Sequence, residues 1–152
     1  MQARTPAALL LIATLWTGSL WAIGYVVAPT LFSSLSDRVL AGTIAGSLFR
    51  VEAWLSLACA LILALLILRL SSGTALQAQR RRLLQLVGGM ALCTVVGYFG
   101  LQPFMAALRE TAAATGGMQA DARMQFGMLH GAASGIYLIQ SLLGGWLMLR
   151  LR

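Results

Sequence analysis

The chain has 152 residues, of which 59% are hydrophobic and 10% are charged, and its formal net charge is +7. A soluble domain is about 45–50% apolar and about a quarter charged, so this composition excludes an ordinary water-soluble fold. The arginines cluster at the ends of apolar runs and not on the face of a polar domain, which argues against nucleic-acid binding. Length alone predicts one domain.

The first predicted element is an apolar run over residues 7–32 that contains no charged residue. About 20 such residues cross the hydrocarbon core of a bilayer as a helix. A signal peptide is the alternative, because Arg4 precedes the run, but the run is too long and lacks a clear cleavage site. We therefore predict a transmembrane helix.

Three further apolar runs predict three more transmembrane helices. The second run carries two charged residues near its beginning, and the other two are uncharged. The whole chain, 1–152, is therefore predicted to be one membrane domain of the all-α class, an integral membrane four-helix bundle. The predicted spans after the first are 43–70, 83–108 and 124–149.

Polar stretches separate these runs. Residues 71–82 end in three consecutive arginines, and we predict a loop there. Residues 109–123 are also predicted to form a loop, in which Gly116 and Gly117 break any helix.

The distribution of arginine predicts the orientation of the chain. Four arginines lie on the side of residues 33–42 and 109–123, where four acidic residues balance them. The opposite side carries seven arginines and no acid, and the arginine-rich side of a membrane protein faces the cytoplasm. We expect a bacterial inner-membrane protein with both termini in the cytoplasm. The seven are Arg4, Arg69, Arg80, Arg81, Arg82, Arg150 and Arg152.

Small residues predict how the helices associate, because membrane helices approach closely where glycine and alanine face each other. The fourth span has Gly127, Gly131 and Gly135 at four-residue spacing. We predict that this face packs inside the bundle. Self-association into a homo-oligomer, or assembly into a larger membrane complex, is the alternative.

Ionisable side chains within a membrane span are costly and are candidates for function. Arg50, Glu52 and His130 are of this kind. At 1.5 Å of helical rise per residue they lie at one level toward the outer face, together with Tyr25 and Tyr98. The five residues form the predicted polar site. A purely structural role is the alternative, with Arg50 extended to the headgroups.

A metal site is a weaker hypothesis. Met105, Met124 and Met128 gather near His130 in the predicted outer half, and thioether with imidazole suits Cu(I). A haem with one histidine ligand is also conceivable. Methionine is an ordinary filler of apolar space, however, so no cofactor is predicted. No nucleophile motif occurs, and we do not expect an enzyme.

Three motifs resemble a known family. They are GYVVAPTLF at residues 24–32, AGTIAGSLFR at residues 41–50 and MLHG at residues 128–131. The chain is similar over nearly its whole length to the bacterial relatives of transmembrane protein 205, small membrane proteins labelled a domain of unknown function. The resemblance implies four spans and no catalytic residues. The positions that match the family are Pro29, Gly42, Gly46, Arg50 and His130.

The resemblance also bears on function. The eukaryotic member of that family is associated with tolerance to platinum compounds, and a more distant likeness to copper-resistance proteins points to metal handling. Pro29 is expected to bend or end the first span. We expect a non-enzymatic transporter component, or a partner or scaffold of a membrane complex. The alternative is a copper- or haem-linked membrane protein that uses His130 near the outer face.

Overall fold

A computed structural model describes residues 7–69 and 74–151, and within these ranges the chain forms helices and no strand. The helices include two π-helical segments, in which each turn is wider than in an α-helix. The elements in chain order are α1 (Ala7–Trp21), a first π segment (Ala22–Val27), α2 (Ala28–Ser34), α3 (Arg38–Leu68), α4 (Thr74–Thr94), a second π segment (Val95–Gly100), α5 (Gln102–Ala114) and α6 (Ala120–Leu151).

Four continuous helical stretches are long and apolar enough to cross a membrane. This confirms the all-α class and the prediction of four membrane-spanning candidates, and it indicates a multi-pass membrane protein. We call these stretches spans 1 to 4. They are Ala7–Ser34, Arg38–Leu68, Gln77–Ala112 and Ala120–Leu151.

The helices extend beyond the predicted runs. The predicted loop over residues 71–82 is wrong from Thr74 onward, because Ala, Leu, Gln and Arg favour helix whether or not they are apolar. The end of the second predicted run at Leu70 and residues 71–73 lie outside the described residues. Hydropathy locates the part of a helix that suits lipid, and it does not locate the end of the helix.

On the side of residues 33–42 and 109–123, a capping residue and a glycine-containing turn determine where the helices begin and end. Asp37 accepts hydrogen bonds from the backbone N–H groups of Val39 (2.8 Å) and Leu40 (3.1 Å), so α3 begins at Arg38 and not at residue 43. The turn before α6 contains Gly116 at φ 74° and Gly117 at φ 157°. These two glycines interrupt the helix as predicted, although the predicted loop around them is too long.

Pro29 does not end span 1. The first π segment precedes it, and the helix continues through the proline to Ser34. Proline lacks the N–H that an α-helix needs at that point, and a wider turn lets the chain pass without this bond. Span 3 repeats the arrangement, with the second π segment followed by Pro103.

The spans pack around one core that lies in the half nearer the two chain ends, which we call the terminus half. Span 1 contacts spans 2 and 4, and span 3 contacts the same two. Trp16, Leu63, Met90 and Leu147 come from the four different spans and are fully buried there. The opposite half, nearer the turns at residues 35–37 and 115–119, is the loop half. Few of its described side chains are buried.

The glycine face of span 4 is not a packing face. A Cβ atom added at Gly127, Gly131 or Gly135 would meet nothing within 4 Å, so the prediction that these glycines pack inside the bundle is wrong. Periodicity along one helix identifies a small face but not the distance to the neighbouring helix, and the helices separate in the loop half. Self-association through this face stays a prediction.

Candidate functional site

A cavity of about 550 Å³ lies between the four spans in the loop half. Small-molecule sites in proteins are typically about 300–1,000 Å³. Its walls include Tyr25, Phe32 and Leu138, whose side chains are 48%, 38% and 51% exposed. The cavity is therefore open at its edge and not sealed.

Glu52 lies at the boundary between the cavity and the buried core. Its side chain is only 2% exposed. The Oε1 atom accepts hydrogen bonds from the hydroxyl groups of Ser19 (3.2 Å) and Ser56 (3.3 Å). Trp16 in turn donates its indole N–H to the Ser56 oxygen at 2.8 Å. Spans 1 and 2 thus hold the carboxyl group in place through neutral donors alone.

The second carboxyl oxygen of Glu52 is different. Oε2 is buried and has no hydrogen-bond partner among the described residues. Most buried polar atoms in native proteins are hydrogen-bonded, and leaving one unsatisfied costs about 1–3 kcal/mol, and more for a charged group. An orphaned carboxyl oxygen beside a cavity therefore calls for a partner such as a water molecule, an ion or a ligand.

An aromatic cluster forms one wall of the cavity. The ring of Tyr137 contacts Tyr25 and Phe49 edge to face, with centroid distances of 6.2 Å and 5.5 Å. The Tyr137 hydroxyl donates to the backbone carbonyl of Leu20 at 2.7 Å. Gly24 makes this approach possible, because a Cβ atom there would clash with the Tyr137 ring. The cluster ties span 4 to the first π segment.

The second π segment forms part of the opposite wall. A Cβ atom on Gly97 would lie 3.3 Å from Ile136 Cγ2, so the backbones of spans 3 and 4 approach closely here. Below it, Gln140 donates to the Thr94 hydroxyl at 2.9 Å. Tyr98 follows Gly97 and lines the cavity. Each π segment therefore approaches span 4 closely at the glycine of a Gly-Tyr pair.

The two Gly-Tyr pairs belong to a sequence pattern that occurs in both span 1 and span 3. Gly24-Tyr25 precedes Pro29 in span 1, and Gly97-Tyr98 precedes Pro103 in span 3. In each case the pair lies inside the π segment, and both tyrosines line the cavity. The repeat is the sequence signal that could have located the cavity, together with the Glu52–Ser56 spacing of one helical turn.

The structure brings together four of the five residues of the predicted polar site. Tyr25, Glu52, Tyr98 and His130 all line the cavity. Arg50 is exposed and does not belong to the lining. Residues that are two positions apart in an α-helix point about 160° away from each other around the helix axis. Burying Glu52 therefore turns Arg50 outward.

The predicted metal ligands are dispersed. Met105 is buried and lines the cavity, but Met124 and Met128 are each 62% exposed and do not line it. His130 is exposed, and its ring stacks on Phe126 with a centroid distance of 6.1 Å. Within residues 7–69 and 74–151 no three His, Cys, Asp or Glu side chains could hold a metal ion together. Copper or haem binding stays a prediction.

The comparisons with known proteins give a family and no function. Residues 11–114 match the family described as Domain of unknown function (DUF4149). No curated protein and no solved structure matches the chain. The specific resemblance to transmembrane protein 205 stays a prediction. The matched region contains Glu52, its two serine partners and both Gly-Tyr pairs, whereas Tyr137 and His130 lie beyond it. Because the match extends over more than half of its length, the chain belongs to the DUF4149 family.

Proposed function

We propose that this protein binds a small, largely apolar molecule in the loop-half cavity, as a non-enzymatic component of membrane transport. One observation carries the proposal: the cavity reaches Glu52, whose buried carboxyl group has an unpartnered oxygen. A protein that served only as a scaffold would gain nothing from such a group, because a buried orphaned carboxyl oxygen destabilises the fold.

The repeated architecture supports transport over simple storage of a ligand. Many transporters consist of two related halves, and their sites lie where helices depart from regular α geometry. Here spans 1 and 3 each contain a π segment beside the cavity. π turns are frequent at functional sites. The two π segments are therefore the places where we expect the helices to move when a ligand enters or leaves.

Filling the cavity is expected to abolish ligand binding. Ala133 lines the cavity, whereas its neighbour Ala132 is exposed and does not. We expect Ala133→Trp to eliminate saturable binding, because the indole ring occupies the space of the ligand. The measurement is retention of radiolabelled phenylbutanol by lipid nanodiscs that contain the protein, with empty nanodiscs as the background.

The neighbouring variant is the control for this experiment. Ala132→Trp adds the same indole to the same helix but outside the cavity, and it should bind like the wild type. Equal saturable binding by the two tryptophan variants would contradict the proposal. The proposal would also be contradicted if the wild type retained no more phenylbutanol than empty nanodiscs do, and no more of an amine or a carboxylate with the same apolar body.

We also propose that the protein lies in the bacterial inner membrane with both termini in the cytoplasm. The support is the arginine distribution, with seven arginines and no acid on the terminus side. A fluorescent protein fused to the C-terminus should fluoresce, and alkaline phosphatase fused there should be inactive. Phosphatase inserted after Gly117 should be active. The reverse pattern would place the cavity in the cytoplasmic half and would refute this orientation.

A further inference from the structure

Within the described chain, the cavity contains one carboxylic acid and no arginine. Among the described side chains that line it, Glu52 is the one carboxylic acid, and none is arginine. His130 also lines the cavity, but it is exposed and its ring stacks on Phe126. Both partners of Glu52 Oε1 are serine hydroxyl groups, which carry no charge. The contacts of this carboxyl group with the described residues include no cation, although buried charges in proteins are normally paired.

The nearby arginines do not supply this charge. Arg50 precedes Glu52 by two residues and is exposed on the far side of the helix. Arg109 donates from Nε to the backbone carbonyl of Met105 at 3.3 Å, and its guanidinium lies 5.7 Å from the centre of the Phe126 ring. Each of these cations is placed elsewhere, so a positively charged ligand would supply a charge that neither arginine offers to Glu52.

The aromatic side chains that line the cavity also favour a cationic ligand. Tyr25, Phe49, Tyr98 and Tyr137 line the same cavity. The faces of aromatic rings attract cations, and this attraction increases where water is excluded. An anion would meet an acidic floor and electron-rich walls. A neutral apolar molecule would fit the walls and would leave the Glu52 oxygen without a partner.

We propose that the ligand of this cavity is a hydrophobic amine, whose protonated amino group pairs with Glu52 and whose apolar body lies between the aromatic walls. The inference rests on the proposed function, since it names the substrate class of the same cavity. An ammonium group carries several N–H donors and one positive charge, which together match an orphaned carboxyl oxygen. The terminal torsion of a glutamate side chain is soft, so a small rotation presents Oε2 to the amine.

Three molecules that share one apolar body test this proposal. Phenylbutylamine is cationic at neutral pH, phenylbutanol is neutral and phenylbutanoate is anionic. We expect wild-type protein in nanodiscs of neutral lipid to bind the amine most tightly and the carboxylate least. In Glu52→Gln the affinity for the amine should fall about tenfold or more, because a charge-assisted hydrogen bond is lost. The affinity for the alcohol should change less than about threefold.

The control for charge is Glu110→Gln, since Glu110 is exposed near the end of α5 and does not line the cavity. It should leave all three affinities unchanged. Gln can keep the hydrogen bonds to both serines, and a thermal unfolding curve like that of the wild type shows that Glu52→Gln is folded. If Glu52→Gln does not fold, Glu52→Asp replaces it: Asp keeps the charge but is shorter, and it should retain the preference for the amine.

The outcomes separate this inference from the proposed function. If the alcohol binds in a way that Ala133→Trp abolishes, but the amine has no advantage or keeps it in Glu52→Gln, the cavity is a binding site and the amine proposal is wrong. If no probe shows binding that Ala133→Trp abolishes, the proposed function itself fails. Loss of the amine preference in Glu110→Gln would assign the effect to surface charge and would overturn the amine proposal.

Discussion

Replacement of Trp16 by alanine is expected to lower the free energy of unfolding by about 3–5 kcal/mol. Trp16 is fully buried where spans 1 and 2 meet, and it is among the largest buried side chains of the described chain. Within a membrane its packing does not depend on escape from water, because lipid is as apolar as the core. The loss comes from the contacts that the indole makes with its neighbours, which a void cannot replace.

The same substitution also disturbs the candidate site. The indole N–H donates to Ser56, whose hydroxyl group then donates to Glu52. Without Trp16 this chain of hydrogen bonds loses its fixed donor. Trp16→Phe separates the two effects, because it keeps most of the ring and removes the N–H. We expect Trp16→Phe to cost about 1–2 kcal/mol, close to the value of one buried hydrogen bond with a small loss of packing.

The control is Trp54, a tryptophan at a similar depth in the membrane whose side chain is exposed. Trp54 is 61% exposed, and its ring contacts Phe99 with a centroid distance of 5.4 Å. We expect Trp54→Ala to cost less than about 1.5 kcal/mol, the value of one aromatic pair. Unfolding in mixed micelles of increasing sodium dodecyl sulfate content, followed by circular dichroism, measures both. Equal destabilisation by the two alanine variants would show that the core is not where the structure has it.

The fold was predictable to the extent that lipid dictates it. A chain in a bilayer has to satisfy its backbone within helices, so four long apolar runs are enough to predict four spans. Helix ends depend on caps and propensity, which hydropathy does not report. The Asp37 cap and the helical residues after Thr74 both lie outside the apolar runs. The prediction therefore found the four long apolar helices and placed their ends too close together.

For the candidate site, only its depth along the membrane normal was predictable. The cost of burying charge pointed to Glu52 and His130, and helical rise brought Tyr25 and Tyr98 to the same height. What the sequence does not report is which way each helix faces. Arg50, Gly127, Gly131 and Gly135 turned out to lie on outer faces. The orphaned oxygen of Glu52 depends on contacts across two spans, which no single helix encodes.

Gly144 and Gly145 give the second large effect, and they form a matched pair within one helix. A Cβ atom on Gly144 would lie 3.1 Å from both Cγ2 and Oγ1 of Thr17 and 3.2 Å from Met90 Cε. Met90 ends in a flexible group that can move. Thr17 cannot, because a β-branched side chain in a helix has few rotamers and both of its branches face Gly144. Gly144 is therefore a point of close approach between spans 1, 3 and 4 in the terminus half.

We expect Gly144→Ala to destabilise the protein by about 1–3 kcal/mol, the usual cost of overpacking a tight core. Gly145→Ala adds the same methyl group one residue further, where its nearest neighbour is Trp21 Cζ2 at an ordinary 3.5 Å. That variant should be neutral or more stable by up to about 1 kcal/mol, because alanine favours helix over glycine. The same unfolding assay measures both. The two substitutions have equal helix propensities, so the difference between them reports the tighter contacts at Gly144, chiefly with Thr17. A difference near zero would mean that spans 1 and 4 do not meet at Gly144.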